Sequence, residues 1–323
     1  MAEQRADPVD WSWFESQFAD IRTNIERVIQ GKSHEIRLAL VGLVAEGHLL
    51  IEDVPGVGKT MLAKAMARSF DCSFRRIQFT PDLLPTDITG VNVYNQERGD
   101  FEFKPGAIFA NIVLGDEINR ASPKTQSALL ESMEERQVTV DAVSYQLGVP
   151  FMVVATQNPI EHEGTYPLPE AQLDRFMMRL AIGYPEPEAE VEILATHGSH
   201  STLEDIGPVT DASGAARLIT TAREVFVAES LRRYIVDIAE ATRRHPDVYL
   251  GASPRASIML LRASRALAAS DGRDYSIPDD IKTLAIPVLA HRLIVSADAA
   301  MSGRSADTVL ADTLDDVSVP VTG

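Results

Sequence analysis

Short apolar runs alternate with amphipathic segments through the first half of the chain. The runs are too short for helices and lie next to polar or turn-forming residues, which is typical of buried strands in a parallel sheet. They occupy residues 48–51, 74–79, 108–114, 151–155 and 177–182. Helical periodicity covers residues 18–45 (interrupted at Gly31 and Gly42), a segment starting at Lys59, and residues 122–136 and 169–176. Strands that alternate with helices predict an α/β fold, a parallel sheet with α-helices on both faces.

Two stretches of alternating apolar and polar residues interrupt this order. They span about residues 90–103 and 137–147 and are predicted to be inserted hairpins. After residues 183–187, which are rich in Gly and Pro, only helical patterns continue, at 187–198, 213–228, 229–244, 254–270 and 277–296. The sequence therefore predicts two domains: residues 1–184 form an N-terminal helix plus an α/β core, and residues 185–323 form a smaller all-α domain.

Composition and charge exclude several classes of protein. The chain has 323 residues, of which 45% are hydrophobic and 24% charged, and its net charge is −17. This acidic balance argues against nucleic acid as a partner, because a negative surface repels phosphate backbones. Cys72 is the single cysteine, which excludes an internal disulfide. The N-terminus does not resemble a signal peptide, and no stretch is long and apolar enough for a membrane span, so we expect a soluble cytoplasmic protein.

A glycine-rich loop, Pro55-Gly56-Val57-Gly58-Lys59-Thr60, lies between a predicted strand and a predicted helix. This context is what a phosphate-binding P-loop requires, because the glycines let backbone N–H groups turn towards phosphates at a helix N-terminus. Lys59 is expected to reach the β- and γ-phosphates, and the Thr60 hydroxyl to bind Mg²⁺. The pattern G-x-x-x-x-G-K-[ST] is broken at its first position, where Asp53 replaces glycine; Gly56 supplies the flexibility instead.

Polar side chains follow two other predicted strands. Asp116 and Glu117 end an apolar strand, at the sheet edge where ligands bind in open α/β folds. Asp116 is expected to hold Mg²⁺ directly or through water, and Glu117 to deprotonate the attacking water. Asn158 ends the next strand and is placed to touch the γ-phosphate. Arg175 lies on a predicted helix, where an arginine is an ordinary salt-bridge former or, in a ring of subunits, reaches a neighbour's γ-phosphate.

Longer strings of sequence carry a resemblance to a known family. GDEINRASPKTQSALLESMEERQVTV, preceded by EDVPGVGKT and FTPDLLPTDITG and followed by ATQNPIEHEGTYPLPEAQLDRF, GASPRA and AHRLIVS, resembles the MoxR family of AAA+ ATPases, in the branch with a helix-2 insert. The resemblance spans about residues 20–320. It implies a P-loop AAA+ core followed by a lid domain, with ATP and Mg²⁺ as ligands.

The resemblance also implies a role for each residue of the candidate site. Lys59 and Thr60 become the Walker A residues, Asp116 and Glu117 the Walker B residues, Asn158 sensor 1, Arg175 a finger acting on a neighbouring subunit and Arg255 sensor 2. Catalytic roles fall on Glu117, Asn158, Arg175 and Arg255, and metal binding on Thr60 and Asp116. The nucleotide-binding positions are Ile29, Gly31, Pro55, Gly56, Val57, Gly58, Lys59, Thr60, Met61 and Asp116. Lys32 departs from the glutamine that the adenine-pocket segment of the family would place there.

The resemblance implies a ring-forming, chaperone-like ATPase, with a hexamer as the expected ring, that remodels or activates partner proteins. The resemblance adds a von Willebrand factor A domain partner and metal or cofactor insertion as expectations, and places both hairpins near the central pore. One alternative is a magnesium-chelatase-type or GTP-driven motor subunit on the same scaffold. Another is a nucleotide-gated scaffold without turnover, although such a binder would require neither Glu117 nor Arg175.

Overall fold

The structure, a computed structural model, describes residues 9–158, 165–197 and 202–320. The strands are β1 (Leu49–Glu52), β2 (Phe74–Gln78), β3 (Gly90–Asn95), β4 (Asp100–Pro105), β5 (Ile112–Asp116), β6 (Gln137–Val140), β7 (Val143–Gln146), β8 (Met152–Gln157), β9 (Met178–Leu180), β10 (Val248–Leu250) and β11 (Ile294–Val295). The helices are α1 (Trp11–Glu26), α2 (Ser33–Val44), α3 (Lys59–Ser69), α4 (Pro85–Thr89), α5 (Pro123–Glu135), α6 (Glu170–Leu173), α7 (Pro187–His197), α8 (Ala212–Arg223), α9 (Glu229–Arg244), α10 (Pro254–Ser270), α11 (Pro278–Leu289), α12 (Ala297–Met301) and α13 (Ala306–Asp316).

A five-stranded parallel sheet in the order β2-β5-β8-β1-β9 forms the centre of the core, which confirms the predicted α/β class. Successive residues of each strand point to opposite faces. Leu49 and Ile51 pack in one hydrophobic cluster with α1, α2, α3 and the C-terminal region from α7 to α13, which is called the lid, whereas Leu50 packs in a second cluster with α5. Both faces of the sheet are therefore covered, and this is why the strands read as continuous apolar runs.

Two antiparallel hairpins, β3–β4 and β6–β7, project from the core at the predicted places. They contact each other through Phe103 and Tyr145, whose rings stack with centroids 3.9 Å apart. Gly106 lies at the base of the first hairpin, where an added Cβ would come within 2.2 Å of the Ile88 carbonyl oxygen. The turn therefore depends on a residue without a side chain.

The predicted helical region of residues 18–45 is interrupted at Gly31, as expected, and this residue adopts a left-handed φ of +72° between α1 and α2. The first helix begins earlier than predicted, at Trp11. Gly42 does not interrupt α2. An added Cβ there would come within 2.9 Å of Leu49 Cδ2, so Gly42 allows the helix to pack closely on β1.

The lid is helical apart from a two-stranded antiparallel ribbon of β10 and β11, which the sequence pattern did not predict. The predicted helix of residues 277–296 ends earlier: α11 stops at Leu289, and the chain then enters the ribbon. The predicted helix of residues 169–176 is reduced to the four residues of α6. Every helix in the described part of the chain is too short or too polar to cross a bilayer.

Candidate functional site

The glycine-rich loop connects β1 to α3, as predicted. Gly56 and Gly58 have φ values of +88° and +96°, in the left-handed region that favours glycine. Gly58 is the N-cap of α3 and Lys59 its first residue, so the loop directs the helix N-terminus and its free N–H groups into the site. Anions are stabilised in such a position.

The Lys59 ammonium lies over the loop. Its Nζ donates to the Asp53 carbonyl oxygen at 2.5 Å, and the Gln157 carbonyl oxygen is 3.5 Å away. Burial lowers the pKa of Lys59, while the negative charges of Asp53, Asp116 and Glu117 act in the opposite direction. These are bonds to neutral carbonyl oxygens, and a phosphate oxygen would be a stronger partner for the ammonium.

The carboxylates of Asp116 and Glu117 lie at the carboxyl end of β5, beside the end of β8. Thr156 of β8 links the Asp116 carboxylate to the Glu117 backbone, because its hydroxyl donates to Asp116 Oδ1 at 2.6 Å and accepts the Glu117 N–H at 2.9 Å. The other carboxylate oxygen of Asp116 accepts from Arg76 of β2, with Nη2–Oδ2 at 2.6 Å. Asp116 therefore has a cationic partner within this chain.

Glu117 adopts a left-handed backbone, with φ of +57°, which turns its side chain out of the strand direction. Its Oε2 accepts from Gln78 Nε2 at 2.7 Å and from Arg120 Nη1 at 2.9 Å. Both hydrogen bonds fall on the same oxygen. The carboxylate is thereby held in one orientation, and its second oxygen keeps capacity to accept a proton.

These elements line one cleft of about 320 Å³. Its walls are formed by Pro55, Gly56, Gly58, Lys59, Thr60, Met61, Asp116, Glu117, Thr156 and Asn158. The predicted phosphate- and metal-binding residues are thus adjacent to the predicted sensor 1 residue, Asn158, which is buried there. The Thr60 hydroxyl and the Asp116 carboxylate offer the oxygen ligands that Mg²⁺ prefers, so the residues fit a Mg²⁺–triphosphate group.

The predicted adenine segment lies against the P-loop. The Cδ1 atom of Ile29 is 3.6 Å from the position that a Cβ on Gly58 would occupy. Gly31 faces the start of α7, since an added Cβ would lie 3.1 Å from Ala189 Cβ. Ile29 therefore borders the P-loop, whereas Gly31 borders the helix that follows the connection to the lid.

Arg175 and Arg255 lie outside the P-loop cleft. Together with Glu134 of α5, they line a second cavity of about 440 Å³ between the core and the lid, and neither lines the P-loop cleft. Arg175 Nη2 lies 3.3 Å from Glu134 Oε2, and Arg255 makes an ion pair with the other oxygen of the same carboxylate. The Arg175 Nε atom is buried without a hydrogen-bond partner in the described part of the chain.

The lid fixes the segment that carries Arg175. Asp174 accepts from Ser253 Oγ at 3.1 Å and from Arg292 Nε at 2.8 Å, and His291 contacts the Phe176 carbonyl oxygen at 3.1 Å. Burial lowers the pKa of Arg292 to about 10. The position of Arg175 therefore depends on contacts with the lid on both sides of it.

Sequence reasoning missed Gln78, Thr156 and Glu134. Gln78 and Thr156 lie at the carboxyl ends of strands. This position would have made them candidate site residues if β2, β5 and β8 had been known to be neighbours. Glu134 lies among the acidic residues of α5 and carries no distinguishing pattern. Residues 159–164, which follow Asn158 and belong to one of the resemblance strings, lie outside the described residues, as do residues 1–8 and 321–323 of the predicted domains.

Family models and relatives match most of the chain. Residues 48–178 match the ATPase family associated with various cellular activities (AAA), and residues 240–313 match the AAA lid domain. The protein named Chaperone MoxR1 of Mycobacterium tuberculosis is 44% identical, over 92% of this chain and 80% of that protein. Protein MoxR of Paracoccus denitrificans is 32% identical, over 89% of this chain and 90% of that protein.

A crystal structure of a protein from Cytophaga hutchinsonii, provisionally described as an ATPase, superposes with a TM-score of 0.90. Its sequence is 38% identical, and the match covers 97% of both chains. The similarity thus includes the core, the lid and their arrangement. On these relatives and on its P-loop core and helical lid, the chain belongs to the MoxR family of AAA+ ATPases.

Proposed function

We propose that this chain hydrolyses ATP to ADP and phosphate at the P-loop cleft, with Mg²⁺ as cofactor. Lys59 and the N–H groups at the start of α3 hold the β- and γ-phosphates. Thr60 and Asp116 supply the metal ligands, and bound Mg²⁺ neutralises negative charge on the phosphates. The convergence of the P-loop, the acid pair and Asn158 on one cleft supports this assignment.

Glu117 is the proposed base. Gln78 and Arg120 engage one of its oxygens, so the other is available to take a proton from water as the water attacks the γ-phosphorus. Asn158 orients that water or the γ-phosphate through its amide. Ile29 and Gly31 border the base of the nucleotide, where adenine is expected from the family resemblance.

The active form is proposed to be a ring, with six subunits expected from the family. The observation that carries this is the separation of Arg175 from the P-loop cleft of its own subunit. An arginine finger stabilises charge that develops on the transferred phosphoryl group, so Arg175 needs the nucleotide of a neighbour. Arg255 shares Glu134 with Arg175 and is therefore proposed to act on the same neighbouring nucleotide.

We also assign proposed roles to the lid and to the two hairpins. We place the boundary between core and lid at residues 184/185, in a connection without regular secondary structure between β9 and α7. The hairpins carry exposed apolar side chains, among them Tyr94 and Phe101, which suit contact with a protein client. A von Willebrand factor A domain partner, a role in metal or cofactor insertion and a cytoplasmic location follow from the family resemblance and the sequence.

Steady-state ATP hydrolysis tests the proposal, measured for the wild type and for Glu117→Gln with Mg²⁺ over a range of protein concentrations. We expect specific activity to rise with concentration in the wild type and to vanish in the variant. Glu131→Gln, the same change at an exposed position of α5, serves as the control and should keep wild-type activity. ATP binding without turnover would favour the gated scaffold, and preference for GTP would favour the GTP-driven motor.

A further inference from the structure

The two positions at which the chain departs from the expected sequence patterns contact the same short segment. Asp53 stands where the P-loop pattern has its first glycine, and Lys32 stands where glutamine was expected. The segment is the connection between β9 and α7, residues 181–186, which leads from the core to the lid. Neither departure is used in the chemistry proposed above.

Asp53 joins the P-loop to this connection through its side chain. Oδ1 accepts the Val54 N–H at 2.8 Å, within the loop, and Oδ2 accepts the Gly183 N–H at 2.6 Å. The carboxylate is buried, and its backbone oxygen is the acceptor of the Lys59 ammonium. A glycine at this position would leave the Gly183 N–H without that acceptor.

Lys32 holds the next residue of the connection. Its Nζ donates to the Tyr184 carbonyl oxygen at 2.9 Å. Gly183 adopts a φ of +68°, which turns the backbone so that its N–H meets Asp53 while the following carbonyl meets Lys32. Two charged side chains therefore hold the peptide groups before Gly183 and after Tyr184, on either side of the peptide that joins these two residues.

We propose that Asp53 and Lys32 are positioning residues that couple occupancy of the P-loop to the 181–186 connection, and through it to the lid. The inference rests on the proposed binding of ATP at the P-loop. A triphosphate draws the Lys59 ammonium away from the Asp53 carbonyl and orders the loop around the phosphates. An ordered loop fixes the Asp53 carboxylate, which strengthens its hold on Gly183.

Hydrogen exchange at the Gly183 amide tests the coupling, measured on the full chain with and without Mg²⁺ and a non-hydrolysable ATP analogue. Coupling between two sites usually amounts to a factor of about five or more. We expect the analogue to slow exchange at Gly183 by at least about fivefold in the wild type. In Asp53→Gly, which restores the glycine of the P-loop pattern, exchange should be fast and independent of the analogue, while the analogue still binds.

Asp71→Gly is the matched control, since Asp71 is an exposed aspartate with positive φ at the far end of α3, and it should behave as the wild type. Lys32→Met gives a second variant that leaves the buried loop intact, and we expect it to reduce the effect of the analogue on Gly183 by at least about half. Protection of Gly183 in Asp53→Gly or Lys32→Met equal to that in the wild type would overturn the coupling. So would a wild type that binds the analogue without any change at Gly183. A wild type that does not bind the analogue would overturn the proposed function as well.

Discussion

Arg175 of the core and Arg255 of the lid meet on one carboxylate, that of Glu134. The two guanidinium groups pair with its two oxygens, and the group lines a cavity between core and lid. Neither arginine lines the P-loop cleft of the same subunit. Two cations that share one anion can be recruited together by a more highly charged group, such as the triphosphate of an adjoining subunit.

Arg175→Ala is therefore expected to abolish turnover without weakening ATP binding. Arginine fingers in GTPases contribute about 10³- to 10⁵-fold in rate, so we expect kcat to fall by about 10³-fold or more. Arg175→Lys should rescue little, because lysine lacks the planar guanidinium fork. Arg232→Ala, which removes the same charge from an exposed site of α9, is the control for steady-state kinetics. A kcat for Arg175→Ala close to that of the control would contradict the role of Arg175.

Arg76 is expected to compete with Mg²⁺ for Asp116. Its guanidinium binds Asp116 Oδ2 at 2.6 Å, and this partly exposed pair holds an oxygen that the metal would use. Exposed ion pairs contribute up to about 1 kcal/mol, or roughly fivefold in an equilibrium constant. In Arg76→Gln, half-maximal ATP hydrolysis should need about two- to fivefold less Mg²⁺. A higher Mg²⁺ requirement would show that Arg76 supports the metal site instead.

His48 should make stability depend on pH. It is buried, with its Nδ1 accepting the Val153 N–H at 2.9 Å and its Nε2 at 3.0 Å from the Met133 carbonyl oxygen, and burial lowers its pKa from 6.5 to about 4. In the unfolded chain His48 binds a proton near pH 6.5, whereas in the folded chain it binds one only near pH 4. Stability is therefore fully present above pH 6.5 and falls as the pH drops towards 4.

The expected loss from His48 between about pH 7 and 5 is about 2 kcal/mol in the free energy of unfolding. His291 is buried with a lowered pKa as well and adds a loss of the same sign. Denaturant unfolding at a series of pH values measures the sum. His48→Gln should be less stable at pH 8 but show a shallower pH dependence, and an unchanged slope would mean that folding does not shift the pKa of His48.

The hairpins should be energetically coupled through Phe103 and Tyr145. Stacked aromatic pairs contribute about 0.5–1.5 kcal/mol beyond the apolar area they bury. A double-mutant cycle of Phe103→Ala and Tyr145→Ala, followed by chemical unfolding, should give a coupling energy in that range. The same cycle with Tyr249, an exposed residue of β10 in the lid, should be additive. Additivity in both cycles would mean that the stacking does not hold the hairpins together.

Sequence patterns were sufficient for features that are determined by neighbouring residues in the chain. The P-loop between β1 and α3 and the acid pair at the end of β5 could be predicted from apolar runs followed by Gly, Asp or Glu. Gly42 could not be interpreted correctly, because it is needed for the close packing of α2 on Leu49 of β1, a contact between two elements that the helical pattern does not reveal. The helices α12 and α13 were missed although Ser296 and Ser305 cap them, since each is short and weakly apolar.

The partners of the site residues required the strand order. Gln78 reaches Glu117 because β2 lies next to β5, and Thr156 joins Asp116 to Glu117 because β8 lies on the other side of β5. No pattern in one sequence states which strands are neighbours. Asp53 departs visibly from the P-loop sequence pattern. Its partner Gly183, however, is 130 residues away, and only the tertiary structure shows the contact. The roles assigned to the site residues stay predictions until they are measured.

Mixing two inactive variants tests the central claim most directly. Lys59→Ala lacks phosphate binding but keeps Arg175, and Arg175→Ala keeps the P-loop cleft but lacks the finger. If each active site is completed by a neighbouring subunit, a mixture in which subunits exchange will contain interfaces with an intact cleft and an intact finger. We predict that ATP hydrolysis reappears in the mixture and is absent from either variant alone. Mixed rings that stay inactive, or an Arg175→Ala variant that is active by itself, would contradict the account.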